Sequence, residues 1–336
     1  MVNRLIRTNI LIAGLLKHAR ARQATRPAVG IGIVIAYLLG WNLLKAPSWN
    51  ATMSKIAIAA AALLFSGLGF AQEKAMAPPP PELSFEQRDA VRQAVGNPTR
   101  RISNVMRDAY RNPEATLGFF SVMPDHTVVE IWPGEGWYTE ILAPMLHEEG
   151  RLIAAHFDPE SSVEFFRKSR AEFEKRLEQG RGQFDKVELA VLDYDPANPI
   201  AEPGIADRVL TFRNVHNWIA AGKEEAQIVF NKMYEVLKPG GYLGLVEHSA
   251  RPGTSLEEMI ETGYVSEALV IELATEAGFE LASRSPVNQN PQDTKDYPEG
   301  VWTLPPTLRL GYDNRAHYMA IGESDRMTLL FIKRAE

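Results

Sequence analysis

The sequence predicts an α/β fold with a mostly parallel sheet flanked by helices, on three observations. From Thr127 onward, seven short apolar runs of strand length are separated by longer amphipathic stretches. Glycine and proline punctuate the turns between them, as in Pro133-Gly134 and Pro239-Gly240-Gly241. At 336 residues, 45% apolar and 23% charged, the chain has ordinary globular composition and enough length for a full core. It contains no cysteine, which excludes disulfide scaffolds and zinc ribbons.

Taken in order, the front of the chain differs from the rest. Residues 1–71 hold eight Lys/Arg and no acid, leaving 28 basic against 42 acidic residues in 72–336. An acidic body offers no broad basic surface for nucleic acid, so a polyanionic partner is not expected. Residues 53–71 read as a secretory signal peptide: MSK is a short positive region, Ile56 to Phe70 an apolar one, with cleavage after Ala71 or Ala77. Residues 1–52 are then an upstream extension, or an anchor if the apolar run 28–44 spans a bilayer. Either way the expected location is periplasmic or secreted, with no other integral membrane contact. A Pro-rich linker (72–83) follows, stiffened by Pro78 to Pro81.

Residues 84–124 read as a helical extension of three short helices. Ser84 with Gln87 makes a capping box, and Asn97-Pro98 and Asn112-Pro113 each pair a cap with a first-turn proline. Within 125–336, strands are expected at 127–132, 151–156, 186–192, 207–212, 241–247, 279–285 and 326–333. Helices are expected at 136–146, 160–179 and 222–237 and within 255–277. Parallel sheets bind ligands beyond the carboxyl ends of their strands, so the turns after the strands are where chemistry is sought.

The first such turn reads VVEIWPGEGWYT, from Val128 to Thr139: an acid inside the strand, then Gly134 and Gly136 opening a helix. Glycines there let a ligand approach the backbone at a partly positive helix start. The spacing fails the dinucleotide fingerprint, since Thr139 stands where a third small residue is required. A nicotinamide-dependent oxidoreductase is disfavoured accordingly. Trp132 fills a position next to the glycines, and Pro133 is expected to hold it extended, with the indole either in the ligand space or turned into the core.

Together with ADRVLTFRNVHNW (Ala206 to Trp218) and LKPGGYLGLVEH (Leu237 to His248), this turn resembles the class I S-adenosylmethionine-dependent methyltransferases from Asp125 to the last strand. The signal pattern with FRNVHNW, NPQDTKDYPEGVWTLPP and GESDRM further resembles a group of exported bacterial proteins known as predicted methyltransferases. The resemblance implies a Rossmann-like seven-stranded, mostly parallel sheet flanked by helices. It also implies S-adenosylmethionine as cofactor and methyl transfer to a small molecule. Glu130 matches the motif acid that faces the methionine amino group, Gly134 and Gly136 match the loop backbone, and the family's first motif glycine is Trp132 here. His156 stands where a carboxylate usually accepts the ribose hydroxyls, with Asp158 as substitute, and Asp193 matches the acid that receives the adenine amino group. Asn214 falls in the same loop set.

For catalysis, His216 is a candidate general base and His248, beside Glu247, a second; each has an alternative structural reading. Trp218, Asn290, Tyr297 and Arg326 are candidate substrate contacts, the last three from the long Pro/Asn/Asp-rich segment and charged turn near the C-terminus. Asp207, Glu247 and His248 are too scattered in sequence to form a metal set, so no metal is expected. The competing function is a catalytically silent small-molecule binding protein on the same scaffold, motivated by Trp132, by His156 and by export away from the cytosolic cofactor supply.

Overall fold

The computed structural model describes residues 79–335 apart from 81 and 181. The segments expected as an extension (1–52) and a signal peptide (53–71), and most of the expected linker (72–83), lie outside the described residues.

Seven strands form one sheet in the order β3-β2-β1-β4-β5-β7-β6. They are β1 (Thr127–Ile131), β2 (Arg151–His156), β3 (Val187–Val191), β4 (Ala206–Phe212), β5 (Leu237–His248), β6 (Glu280–Ser285) and β7 (Arg326–Ile332). All neighbouring pairs are parallel except those of β7, which runs antiparallel to β5 and β6. This is the Rossmann-like, mostly parallel sheet the resemblance implies.

The register puts Val129 opposite Ile153 and Val209, so apolar residues meet across three strands. Alternation along β1 then sends Val129 and Ile131 into one face of the core and Val128 into the other. Each face is covered by helices, which explains why the central strands read as nearly continuous apolar runs.

The helices are α1 (Phe85–Val95), α2 (Ile102–Val105), α3 (Asp108–Arg111), α4 (Pro113–Phe119), α5 (Thr139–Leu146), α6 (Glu164–Gln179), α7 (Val215–Ala221), α8 (Lys223–Val236), α9 (Leu256–Thr262), α10 (Glu267–Glu276) and α11 (Arg315–Ile321). The capping box at α1 is formed, with Ser84 Oγ accepting from Gln87 N and Gln87 Oε1 from Ser84 N. Pro113 begins α4 as expected, but Asn97-Pro98 begins a turn and the next helix starts at Ile102, so four short helices replace the expected three. Asn97 Oδ1 accepts from Thr99 N, an Asx turn that competes with helix initiation. Residues 215–221, expected as loop, form α7.

Candidate functional site

The order reverses between β1 and β4, each being the other's neighbour while β2 and β5 leave in opposite directions. Side chains cannot fill the crevice at such a switch point. A cavity of about 620 Å³ lies there, open at the carboxyl ends of β1, β4 and β5. It is lined by Glu130, Gly134, Asn214, His216 and His248, by Arg101, Arg107 and Arg111 from the stretch that carries α2 and α3, and by Trp302 and Glu323 from the C-terminal segment.

Glu130 is 1% exposed and accepts a 2.7 Å hydrogen bond from Thr139 Oγ1 at the start of α5. Burial pushes its carboxyl up to about 7, against the smaller opposing effect of that bond. The folded state therefore holds this proton from about pH 4.5 to 7 where the unfolded chain has lost it, and stability falls as pH rises across that window. Glu130→Gln should remove the dependence: unfolding in urea at pH 8 should need about 3 kcal/mol more than wild type, with little difference at pH 5.

Gly134 (φ 60°) and Gly136 (φ 81°) both sit in the left-handed region, which explains the glycines. A Cβ on Gly134 would meet nothing within 4 Å, so its backbone faces open space, whereas one on Gly136 would press on Phe173 at 3.1 Å. His156 locks this turn. Its Nδ1 accepts from Phe157 N at 2.7 Å, so Nε2 carries the proton and donates to Gly134 O at 3.2 Å. Burial lowers its pKa to about 4, keeping the ring neutral.

Trp132 departs from expectation. Its φ is 44°, left-handed rather than extended, a conformation that costs a non-glycine residue about 1 kcal/mol. Packing holds it there. The indole lies among Phe157 (4.5 Å between ring centroids), Phe166, Tyr194 and Trp218, and Nε1 donates to Leu192 O at 3.3 Å. It thus occupies the space between the ends of β2, β3 and β4 while its edge lines the cavity.

His216, Glu247 and His248, expected as separate candidates, form one group whose donor atoms lie within 4.8 Å of one another. Glu247 is fully buried and receives three N–H groups: His216 Nδ1 at 3.1 Å, His216 N at 3.2 Å and His248 N at 2.7 Å. A carboxylate there keeps the His216 proton on Nδ1 and leaves Nε2 as an acceptor. His248 Nδ1 meets Ser324 Oγ at 2.5 Å. Burial, and then the positive charges nearby, holds His248 well below its usual pKa, so it is neutral. Two imidazoles and a carboxylate are metal-ligand types, and the fold gathers what the sequence scatters. Glu247, however, does not line the cavity, and its oxygens are already taken by N–H donors, which makes it an orienting group for the histidines.

Other expected site residues are engaged elsewhere. Asp158 caps its own turn by accepting from Glu160 N, and Asp193 pairs with Lys232 at 2.7 Å and with Asn198. Trp218 is wholly buried in the core. Asn290 spends its amide on Ile321 O and Glu323 O, and Tyr297 Oη accepts from Thr294 N while the ring packs on Tyr318. Arg326 donates to Glu323, Ser324 O and Tyr110 O and stands behind the cavity wall. None of these six lines the cavity. Asn214 does, and its Nδ2 also ties β4 to Ile131 O at 2.9 Å.

Sequence reasoning passed over Arg101, Arg107, Arg111 and Glu323. Arg107 Nε meets Glu323 Oε1 at 2.6 Å and Arg111 Nε meets Oε2 at 3.2 Å. Three arginines within eleven residues of a helical layer were the signal available. Arg101, with Asn104 and Arg176, binds Glu140 on α5 and pins that layer to the domain.

No protein-family model matches the sequence, and no curated protein matches it. Among solved structures it is similar to a SAM-dependent methyltransferase from Aquifex aeolicus, 20% identical over 60% of this chain and 93% of that one, with a TM-score of 0.43. It is also similar to a putative sarcosine dimethylglycine methyltransferase from Galdieria sulphuraria (13% identical, 69% and 85% covered, TM-score 0.45). A third is the [4+2]-cyclase SpnF (14% identical, 78% and 99% covered, TM-score 0.47). The strand order and flanking helices of the chain itself give it a Rossmann-like α/β fold.

Proposed function

We propose that the protein transfers a methyl group from S-adenosylmethionine to a small molecule held in the cavity at the β1/β4 switch point. The observation that carries this is a shared space: the buried acid and open glycine turn after β1 face the same cavity as the oriented His216. Glu130, Gly134 and Asn214 suit the methionine end of the cofactor, which needs a carboxylate for its ammonium and backbone without a Cβ in the way, while Gly136 shapes the turn against Phe173 and does not line the cavity. The adenosine end is different: with His156, Asp158 and Asp193 engaged elsewhere and the Trp132 indole between β2, β3 and β4, it requires that indole to be displaced.

Bound, the cofactor supplies an electrophilic methyl on sulfur. The protein's part is alignment and proton removal. His216 takes the acceptor's proton at Nε2, and the Glu247 carboxylate stabilises the resulting imidazolium through Nδ1–H. Trp302, edge-on to His216 at 6.2 Å, lines the cavity beside it.

The position of Trp132 favours a second reading, a binding protein without a methyl donor. Calorimetric titration with S-adenosylmethionine and S-adenosylhomocysteine separates the two. Binding by wild type that Glu130→Ala abolishes supports transfer. Binding only after Trp132→Gly supports a scaffold whose donor site the indole has closed, and no heat in either protein would end the methyl-transfer reading.

A further inference from the structure

Three guanidinium groups bond one carboxylate at the cavity wall. Glu323 bonds Arg107, Arg111 and Arg326, at 2.6, 3.2 and 3.3 Å. Arg213, at the end of β4, adds a fourth positive charge that acts on the same carboxylate. These cations outnumber the carboxylates that act on them, Glu323 and, on Arg213, Glu247, so the wall is positive inside a body whose overall charge is strongly negative. The excess is therefore local and built.

Hydrogen bonding points the same way. Arg326 is consumed by protein acceptors and does not line the cavity. The other three do line it, and they are incompletely used. Arg111 is 3% exposed, yet its Nη2 has no acceptor, and neither has the buried Nη2 of Arg107. The Arg213 guanidinium donates to no protein acceptor among the described residues, and its backbone is held at φ 62° by a 2.7 Å bond from its N–H to Val246 O. Buried donors are nearly always satisfied, and orphaned charged donors are the costliest exception. Guanidinium forks suit carboxylate and phosphate oxygens, which accept two bonds in one plane. Beside them, the stacked Tyr138–Phe212 pair, 3.5 Å between centroids, and Trp302 give the remainder of a ligand an apolar wall.

We propose that Arg107, Arg111 and Arg213 bind the acid group, carboxylate or phosphate, of a small molecule, so that the acceptor is an anion. This deepens the methyl-transfer reading by naming the acceptor's class, and the experiment omits the methyl donor at first so that the two can fail separately.

The full chain, in chloride buffer, is titrated calorimetrically with inorganic phosphate and separately with acetate. Saturable one-to-one binding of at least one anion is expected. Arg213→Gln loses no protein hydrogen bond, and it should still unfold in one cooperative transition while weakening the anion roughly tenfold or more. Arg111→Lys, which keeps the charge and loses the fork, should weaken it comparably. Arg334→Gln, past the far end of β7 from Arg326 and mostly exposed, controls for net charge and should bind as wild type. The proposal is overturned if neither anion saturates, or if Arg213→Gln and Arg111→Lys both bind as wild type. It is overturned equally if added S-adenosylmethionine displaces the anion competitively, since the arginines would then hold the donor's own carboxylate.

Discussion

Replacing Glu323 by glutamine should lower the free energy of unfolding by about 3–5 kcal/mol, the cost of leaving buried cations without their partner. Glu323 is 4% exposed, and so are Arg111 and Arg326 to within a percentage point. Burial alone would raise the carboxyl's pKa; Arg111, Arg326, Arg213 and Arg107 together override it and bring it down to about 2. A depressed acid contributes its full stability above its unfolded value near 4.5 and loses it as pH falls toward 2. That window is worth about 3 kcal/mol, so wild type should weaken steeply below pH 4.5 and the variant much less. Urea midpoints from pH 7 to 3 measure both effects. Because the cluster is buried, the loss should persist in about 0.5 M salt. By contrast, Lys223→Ala, which breaks an ion pair whose side chains are 45% and 48% exposed, should cost under about 1 kcal/mol. A Glu323→Gln protein as stable as wild type would mean that the four guanidiniums find other counter-charges.

The sheet was legible because its cause is local. The central strands are apolar runs bounded by turn residues, and burial on both faces removes the need for alternation, so boundaries at β2 and β4 are met to within a residue. The helical layer was less legible, since Asn97 satisfies Thr99 and diverts a segment that capping rules read as a helix start. Segment 215–221 looked like a loop because Asn214, His216 and Asn217 interrupt any apolar stripe; the helix forms because Trp218 and Ile219 bury in the core. Conformation at Trp132 was misread for a physical reason too. A following proline disfavours the right-handed helical region, and the alternative taken here is left-handed, paid for by four aromatic neighbours.

The site divides along the same line. Glu130, Gly134 and Gly136 are contiguous, and a motif finds them. The Arg107–Glu323 and Arg111–Glu323 pairs join residues 216 and 212 positions apart, a relation that only the fold creates. The acid-binding wall is therefore the part of the cavity that one sequence conceals.

Glu247→Gln should be the most disabling single change in the proton-handling group, although it alters one atom. All three protein groups facing the carboxylate are donors, two backbone N–H groups and the His216 ring N–H. An amide offers one oxygen and a donor of its own, so at least one N–H in a fully buried place must face another N–H. The expected loss is about 3 kcal/mol in urea unfolding. The second effect is on His216. Without an anionic acceptor at Nδ1, the ring has no reason to keep its proton there, and Nε2 ceases to be a dependable base; methyl transfer at an acceptor needing deprotonation should fall about 10²–10⁴-fold. Nitrogen-15 correlation spectra of the imidazoles report the tautomer directly. Wild type should show His216 protonated on Nδ1, and Glu247→Gln a shift toward Nε2. Should Nδ1–H persist in the variant while stability drops, Glu247 would be holding the backbone of α7 and β5 and nothing more, and the histidine would lose its claim to the proton transfer.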